Sequence, residues 1–280
     1  MNKSHTQILD NRRLVRIGGE EAAEFLNGLI TCDVLVLTEK QAAFGALLSP
    51  QGKILFDFFV IRDEHGFLID IDAASSDDFI KRLMFYRLRR KVEIGVEEEF
   101  QSVLVSWGVG LEVEDALSIT DPRLEEAGQR HYCKSLPQAT HDDYARHRIS
   151  LGLPEGGDDF QFGDAFPHEA LMDQFGGVDF QKGCYVGQEV VSRMQHRGTA
   201  RKRIIKVHSD SNLPESGTDV LADGKLVGTL GSVSGNIGLA VLRLDRVALA
   251  KENGLALTAG DATIEAEIQS WAKFGWPVKV

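Results

Sequence analysis

The stretch Lys182-Gly183-Cys184-Tyr185-Val186-Gly187-Gln188-Glu189 sets an ammonium, a thiol and a phenol within four residues of one another. Glycines at 183 and 187 suit a tight loop whose backbone comes close to something else. A cysteine acts as nucleophile, metal ligand or redox sensor only as its thiolate, and Lys182 folded back near Cys184 would favour that form. The same residues also fit a structural turn, with Cys184 as a small buried hydrophobe and Tyr185 packed beneath it. Residue types alone leave both readings open. From Gln188 onward, Val190 and Met194 stand four apart, so a helix is expected to begin there. Cations gather beyond it at Arg193, His196, Arg197, Arg201, Lys202 and Arg203.

Two carboxylates stand out elsewhere. Asp57 interrupts an apolar run, and a lone carboxylate there should have a raised pKa unless it is paired or hydrogen-bonded. It is either a pocket residue or an acid that anchors structure. Glu169, in Pro167-His168-Glu169, could be a ligand carboxylate or a solvated loop residue. A second basic group comprises Lys81, Arg82, Arg87, Arg89, Arg90 and Lys91. It is either a solvated face or a receiver for an anionic group. The eight histidines show no HExxH-like ligand spacing.

The elements that must hold these residues follow from periodicity. Ala22, Phe25, Leu26, Leu29 and Ile30 predict an amphipathic helix over Glu20–Ile30, with acids at its positive end. A strand over Ala42–Leu48 meets the turn Ser49-Pro50-Gln51-Gly52, Pro second and Gly fourth. The return strand, Lys53–Arg62, is apolar on both faces and is expected to be covered on both. Gly66–Asp72 reads as a strand, Asp77–Arg90 as a helix, and Val92–Val96 and Ser102–Ser106 as strands. His141–Ser150 reads as a helix ended by Gly152 and Pro154, and Pro154–Pro167 as a long loop of the kind that often carries function. Beyond residue 200 come short β-like runs at Ile204–Val207, Val220–Ala222, Lys225–Gly231, Ile237–Arg243 and Ala262–Ile268. Asp223-Gly224 is a hairpin signal among them. A boundary near residue 200 is therefore expected, with residues 1–200 before it and a β domain over 201–280.

At 280 residues, 43% hydrophobic and 26% charged, the chain has ordinary globular composition and length for about two domains. A formal charge of −11 argues against gripping nucleic acid with the whole surface. Three widely spaced cysteines with no CxxC pair indicate neither a zinc ribbon nor a disulfide framework. Iron–sulfur ligation usually takes four, so the chain alone does not look like a cluster carrier, and no resident metal is expected. No stretch approaches the ~18–20 apolar residues of a membrane span, and no apolar leader or transit peptide is visible. The expected compartment is the cytoplasm, or the mitochondrial matrix if the source is eukaryotic.

Lys182–Glu189 resembles the K-G-C-Y-x-G-Q-E signature of the YgfZ family, within the aminomethyltransferase-like superfamily. Phe25-Leu26-Asn27-Gly28-Leu29-Ile30-Thr31-Cys32-Asp33-Val34 is similar to the family's first helix and turn, and Leu48–Lys53 to its hairpin. Arg148-Ile149 through Gly152-Leu153-Pro154, Pro167-His168-Glu169 and Arg197-Gly198 extend the similarity over most of residues 20–200. The resemblance implies an α+β, three-lobed fold with two intertwined N-terminal α+β lobes round a central pocket and a small C-terminal β-barrel. It implies tetrahydrofolate or a derivative as cofactor, with Glu169 on the pterin, whose adjacent N–H and amino group match one carboxylate. Tyr185, Gln188 and Arg197 join it as binding candidates, and Cys184, Lys182 and Asp57 as reactive ones.

Where this chain has Phe56-Asp57, aminomethyltransferases carry two adjacent acids. Where it has Cys184, Tyr185 and Gln188, they carry an acid, an aromatic residue and Arg. The resemblance thus implies a folate-binding accessory factor for iron–sulfur cluster assembly or repair, serving clients such as tRNA-modifying enzymes, and not aminomethyl transfer. A folate-dependent one-carbon transferase and an RNA-binding regulator are the alternatives, the latter disfavoured by net charge.

Overall fold

The computed structural model describes residues 3–198 and 200–277. Its elements run β1 (Ser4–Ile8), β2 (Arg12–Gly18), α1 (Ala22–Asn27), β3 (Ala42–Leu48), β4 (Ile54–Asp63), β5 (Gly66–Asp72), α2 (Ser76–Arg87), β6 (Glu93–Val96), β7 (Ser102–Gly108), β8 (Ala116–Thr120) and β9 (Gln129–Cys133). There follow α3 (Tyr144–Leu151), α4 (Gln188–Arg197), β10 (Lys202–His208), β11 (Asp219–Ala222), β12 (Lys225–Ser234), β13 (Ile237–Arg243), α5 (Leu244–Glu252), β14 (Leu257–Ala259) and β15 (Ala262–Glu267). Two compact units interleave along the chain. One comprises Met1–Tyr144 with Phe175–Gln188, the other Ala145–Gln174 with Glu189–Val280.

The first unit holds two antiparallel sheets, ordered β3-β4-β5-β2-β6 and β1-β7-β9-β8. Strand β4 is covered on both faces, as its apolar alternation requires. Phe58 and Val60 join the core formed with α1 and α2, where Phe25, Leu26, Phe79 and Leu83 pack. Phe59 points the other way, under the guanidiniums of Arg130, 3.9 Å from the ring centroid, and Arg123, at 4.8 Å. Those arginines belong to a buried charge cluster between the sheets. Asp70 accepts hydrogen bonds from Arg12 Nε (2.6 Å), Arg130 Nη1 (2.7 Å) and Tyr132 Oη (3.2 Å). Burial would push the Asp70 carboxyl up, but the flanking Arg12 and Arg130 hold it below its ordinary value.

Helix α2 stops at Arg87, three residues short of its expected end. Leu88 takes φ 50°, a conformation that ends a helix, and the Arg87 guanidinium donates to the Val92 carbonyl (3.3 Å). In the second unit, six strands close a barrel in the order β10-β13-β12-β11-β14-β15. Residues of β15 alternate strictly between buried and exposed, so Ala262, Ile264 and Ala266 fill the interior. The expected long loop over 154–167 has no regular helix or strand, yet it is anchored. The buried Asp159 accepts from Arg148 Nη1 (2.8 Å) and from the backbone N–H groups of Glu155 (2.9 Å) and Ser232 (2.7 Å).

Candidate functional site

The loop that carries the signature cysteine is built on the turn after α1. Thr31 is the fixed point: its hydroxyl donates to Gly177 O (2.6 Å) and accepts from Ala46 N (2.9 Å), tying the 177–182 segment to β3. Asp179 N–H donates to Thr31 O (2.9 Å). The Asp179 carboxylate then accepts from the backbone of Gln181 (2.7 Å) and Lys182 (3.0 Å), a turn of the kind that Asp side chains stabilise.

The Lys182 ammonium, which would favour the Cys184 thiolate if folded back on it, is directed instead to backbone carbonyls. It donates to the carbonyls of Ile30 (2.9 Å) and Cys32 (2.6 Å) and lies 5.5 Å from the Tyr185 ring centroid. Partial burial lowers its pKa, opposed by Cys32, Asp33 and Asp179. The thiol beside it is Cys32, which burial pushes up to about 12 despite the nearby cation. Cys32 is a core thiol, and its Sγ would lie 2.6 Å from a Cβ added at Gly45. Cys133 is likewise buried, whereas Cys184 is exposed.

Tyr185 is buried, and its hydroxyl has no hydrogen-bond partner among the described residues. Burial, with a contribution from Asp179, pushes that phenol up to about 12, so it remains a neutral donor at physiological pH. Two residues on, Gly187 sits at φ 83° against the β3–β4 turn; a Cβ there would come within 2.5 Å of Ser49 O and 3.1 Å of Gly52 Cα. Only glycine fits that conformation and that approach. Gln188 opens α4, its N–H donating to Tyr185 O (3.3 Å). Gly183 and Cys184 are thus the exposed centre of a loop held at Lys182 on one side and at Tyr185 and Gly187 on the other.

Asp57, on β4 opposite Ala46, is buried and is not without a partner. Alternation puts it on the Phe59 side of the strand, away from the α1–α2 core. Glu169 belongs to the second unit. One of its carboxylate oxygens accepts from Phe166 N–H (2.9 Å), and it lines a cavity of about 320 Å³ together with Asp158, Asp164, Lys202 and Thr229. Its neighbour His168 is buried and bonded to Gln195 (3.0 Å), and burial lowers its pKa. Beside them Arg203 makes a paired contact with Asp173, at 2.8 and 2.9 Å. Arg197 ends α4 as an exposed side chain.

The structure therefore assembles Lys182, Tyr185 and the Cys184 loop in one unit and sets Glu169 and Arg197 in the other. Sequence reasoning missed Thr31, Asp179 and Asp159. The signal for Asp179 was present, an Asp two and three residues before the N–H groups it caps. Nothing local marks Asp159, whose partners include Ser232. Among the described residues, no three or more His, Cys, Asp or Glu side chains are grouped to hold a metal ion, and no helix is long and apolar enough to cross a membrane.

Residues 201–274 match the family described as CAF17, C-terminal beta-barrel domain. The chain is 34% identical over 275 residues to iron-sulfur cluster assembly factor IBA57, mitochondrial, from Homo sapiens, spanning 85% of this chain and 77% of that one. It is 30% identical over 300 residues to the IBA57 homolog, mitochondrial, of Pyricularia oryzae, spanning 90% and 76%. Among solved structures, the glycine cleavage system aminomethyltransferase T of Bartonella henselae superimposes with a TM-score of 0.75 at 14% identity, covering 96% of this chain and 86% of that one. That likeness shows the aminomethyltransferase-like α+β fold.

Proposed function

The chain belongs to the IBA57 family of iron–sulfur cluster assembly factors, and from that premise we propose an accessory role in which Cys184 is a transient thiolate ligand for a cluster in transit to client enzymes. The observation that carries this reading is the exposure of Cys184 on a loop held at both sides while the other two thiols are buried. Thiolate sulfur is the ligand that iron–sulfur clusters favour, and four are usual. One accessible cysteine supplies one ligand, so the remaining ones come from the donor or client protein. The cluster is cargo, and clients include tRNA-modifying enzymes.

Tetrahydrofolate or a derivative is the small-molecule cofactor in the same reading. The Glu169 carboxylate fits the donor edge of a pterin: it keeps acceptor capacity beyond its one bond to Phe166, and its cavity lies at the small end of ligand sites. A bound folate would supply a reduced heterocycle; what this chain supplies is orientation through Glu169. The matched relatives are mitochondrial by name, which favours the matrix over the cytoplasm as the working compartment.

Cells lacking their own copy of this factor test both halves. Cys184→Ala should fail to restore client iron–sulfur enzymes while still binding folate; full restoration removes the thiol from the role. Glu169→Ala should weaken folate binding about ten-fold or more in a fluorescence titration, with the fold retained. Unchanged affinity removes the pterin assignment.

A further inference from the structure

We infer that Lys182 is a positioning residue: its ammonium clamps the Ile30 and Cys32 carbonyls so that the following Gly183-Cys184 pair is held out as a short, preorganised loop. A lysine two residues before a reactive cysteine would ordinarily be assigned to stabilising the thiolate. The geometry assigns it otherwise. Both hydrogen bonds of its ammonium go to backbone oxygens of a different segment, at 2.9 and 2.6 Å. That segment is itself fixed, because Thr31 between the two carbonyls binds Gly177 and Ala46, and Asp179 binds Thr31. The ammonium also lies over the buried Tyr185 ring, 5.5 Å from its centroid, so the same side chain holds the loop from its base. Gly187, pressed against Ser49 and Gly52, holds the far side. Between these anchors a Cβ added at Gly183 would meet nothing within 4 Å, so the exposed centre is kept in place by its ends.

The inference deepens the thiol-ligand reading and depends on it only for the purpose of the loop. A cluster passing between two proteins needs its ligand already in place, because ordering a free loop at the moment of contact costs binding energy. The two ideas can fail separately. If Cys184→Ala supports clients fully, the role of the thiol falls, while the clamp still stands or falls on the physical measurements below.

Those measurements use the full chain, where only Cys184 is open to a small alkylating agent. Lys182→Met keeps the stem and removes the donors. The clamp predicts that backbone amides of residues 182–188 exchange hydrogen about ten-fold or more faster in the variant. It also predicts that the pH midpoint of Cys184 alkylation, followed from roughly pH 6 to 10, stays where it is. Lys182→Gln, neutral but with an amide NH2 able to donate, should show intermediate exchange and the same midpoint, and it carries the test if the Met variant does not fold. A midpoint raised by about one unit in the neutral variants would show that the ammonium acts on the thiolate, and the inference is then wrong. Exchange unchanged in both variants overturns it equally.

Discussion

At the scale of single residues, the site depends on a few backbone approaches that side-chain chemistry does not reveal. Gly187 is the clearest. Its φ of 83° and the 2.5 Å that would separate a Cβ from Ser49 O mean that Gly187→Ala must both strain the backbone and push the β3–β4 turn away. A loss of about 2–4 kcal/mol in urea unfolding is expected, with faster proteolysis of the 182–188 loop. The three thiols separate in the same way: iodoacetamide should modify Cys184 alone in the folded protein, and Cys32 and Cys133 only after denaturation, as peptide mapping would show. The octapeptide marked this region in advance through the family resemblance, whereas its residue types alone left a functional loop and a structural turn both open. What Lys182 does was not legible. Spacing placed it near Cys184, whereas its partners, Ile30 and Cys32, lie 150 or more residues back in the chain.

Among elements, β4 shows why charged residues sit deep in the first unit. Its Phe59 ring lies beneath Arg123 and Arg130, and these are balanced by Asp121 and Asp70 between the two sheets. Asp70→Asn removes the carboxylate that the buried Arg12 and Arg130 share, with Asp121 still 3.6 Å from Arg130, and a loss of about 3–5 kcal/mol follows. Acid should weaken the same unit in two stages. His131 is buried between the hydroxyls of Ser106 and Ser118, and burial lowers its pKa to about 4. A depressed histidine contributes stability that is complete above the unfolded value near 6.5 and is lost as pH falls toward 4, about 3 kcal/mol in all. His168 acts in the same direction in the second unit. Asp70, also depressed, contributes stability that persists until pH falls below about 4. Urea midpoints should therefore decline between roughly pH 6.5 and 5, and His131→Gln should flatten that decline. Strands β3, β5 and β13 were legible residue for residue, since apolar runs bounded by turn residues define them. Strand β2 was not, because Arg12 and Arg16 break its apolar pattern and are explained only by Asp70, Asp63 and Glu97 elsewhere in the unit.

For the whole molecule, the family resemblance drew on scattered segments, and the aminomethyltransferase-like α+β fold with its terminal six-stranded barrel is what the chain adopts. The resemblance implied intertwined lobes, but that residues 145–174 group with the barrel and 175–188 with the first unit was hidden, because chain order carries no record of which segments pack together. Relatives name the cellular process, and the exposed thiol supplies a chemistry suited to it. The most direct measurement is in vitro: a cluster-loaded donor, an apo client enzyme, and this chain either intact or as Cys184→Ala, with client activity followed over time. If Cys184 is the ligand that receives the cluster, the intact chain accelerates reactivation and the folded alanine variant leaves it at the rate without factor. Equal acceleration by both proteins would contradict the assignment.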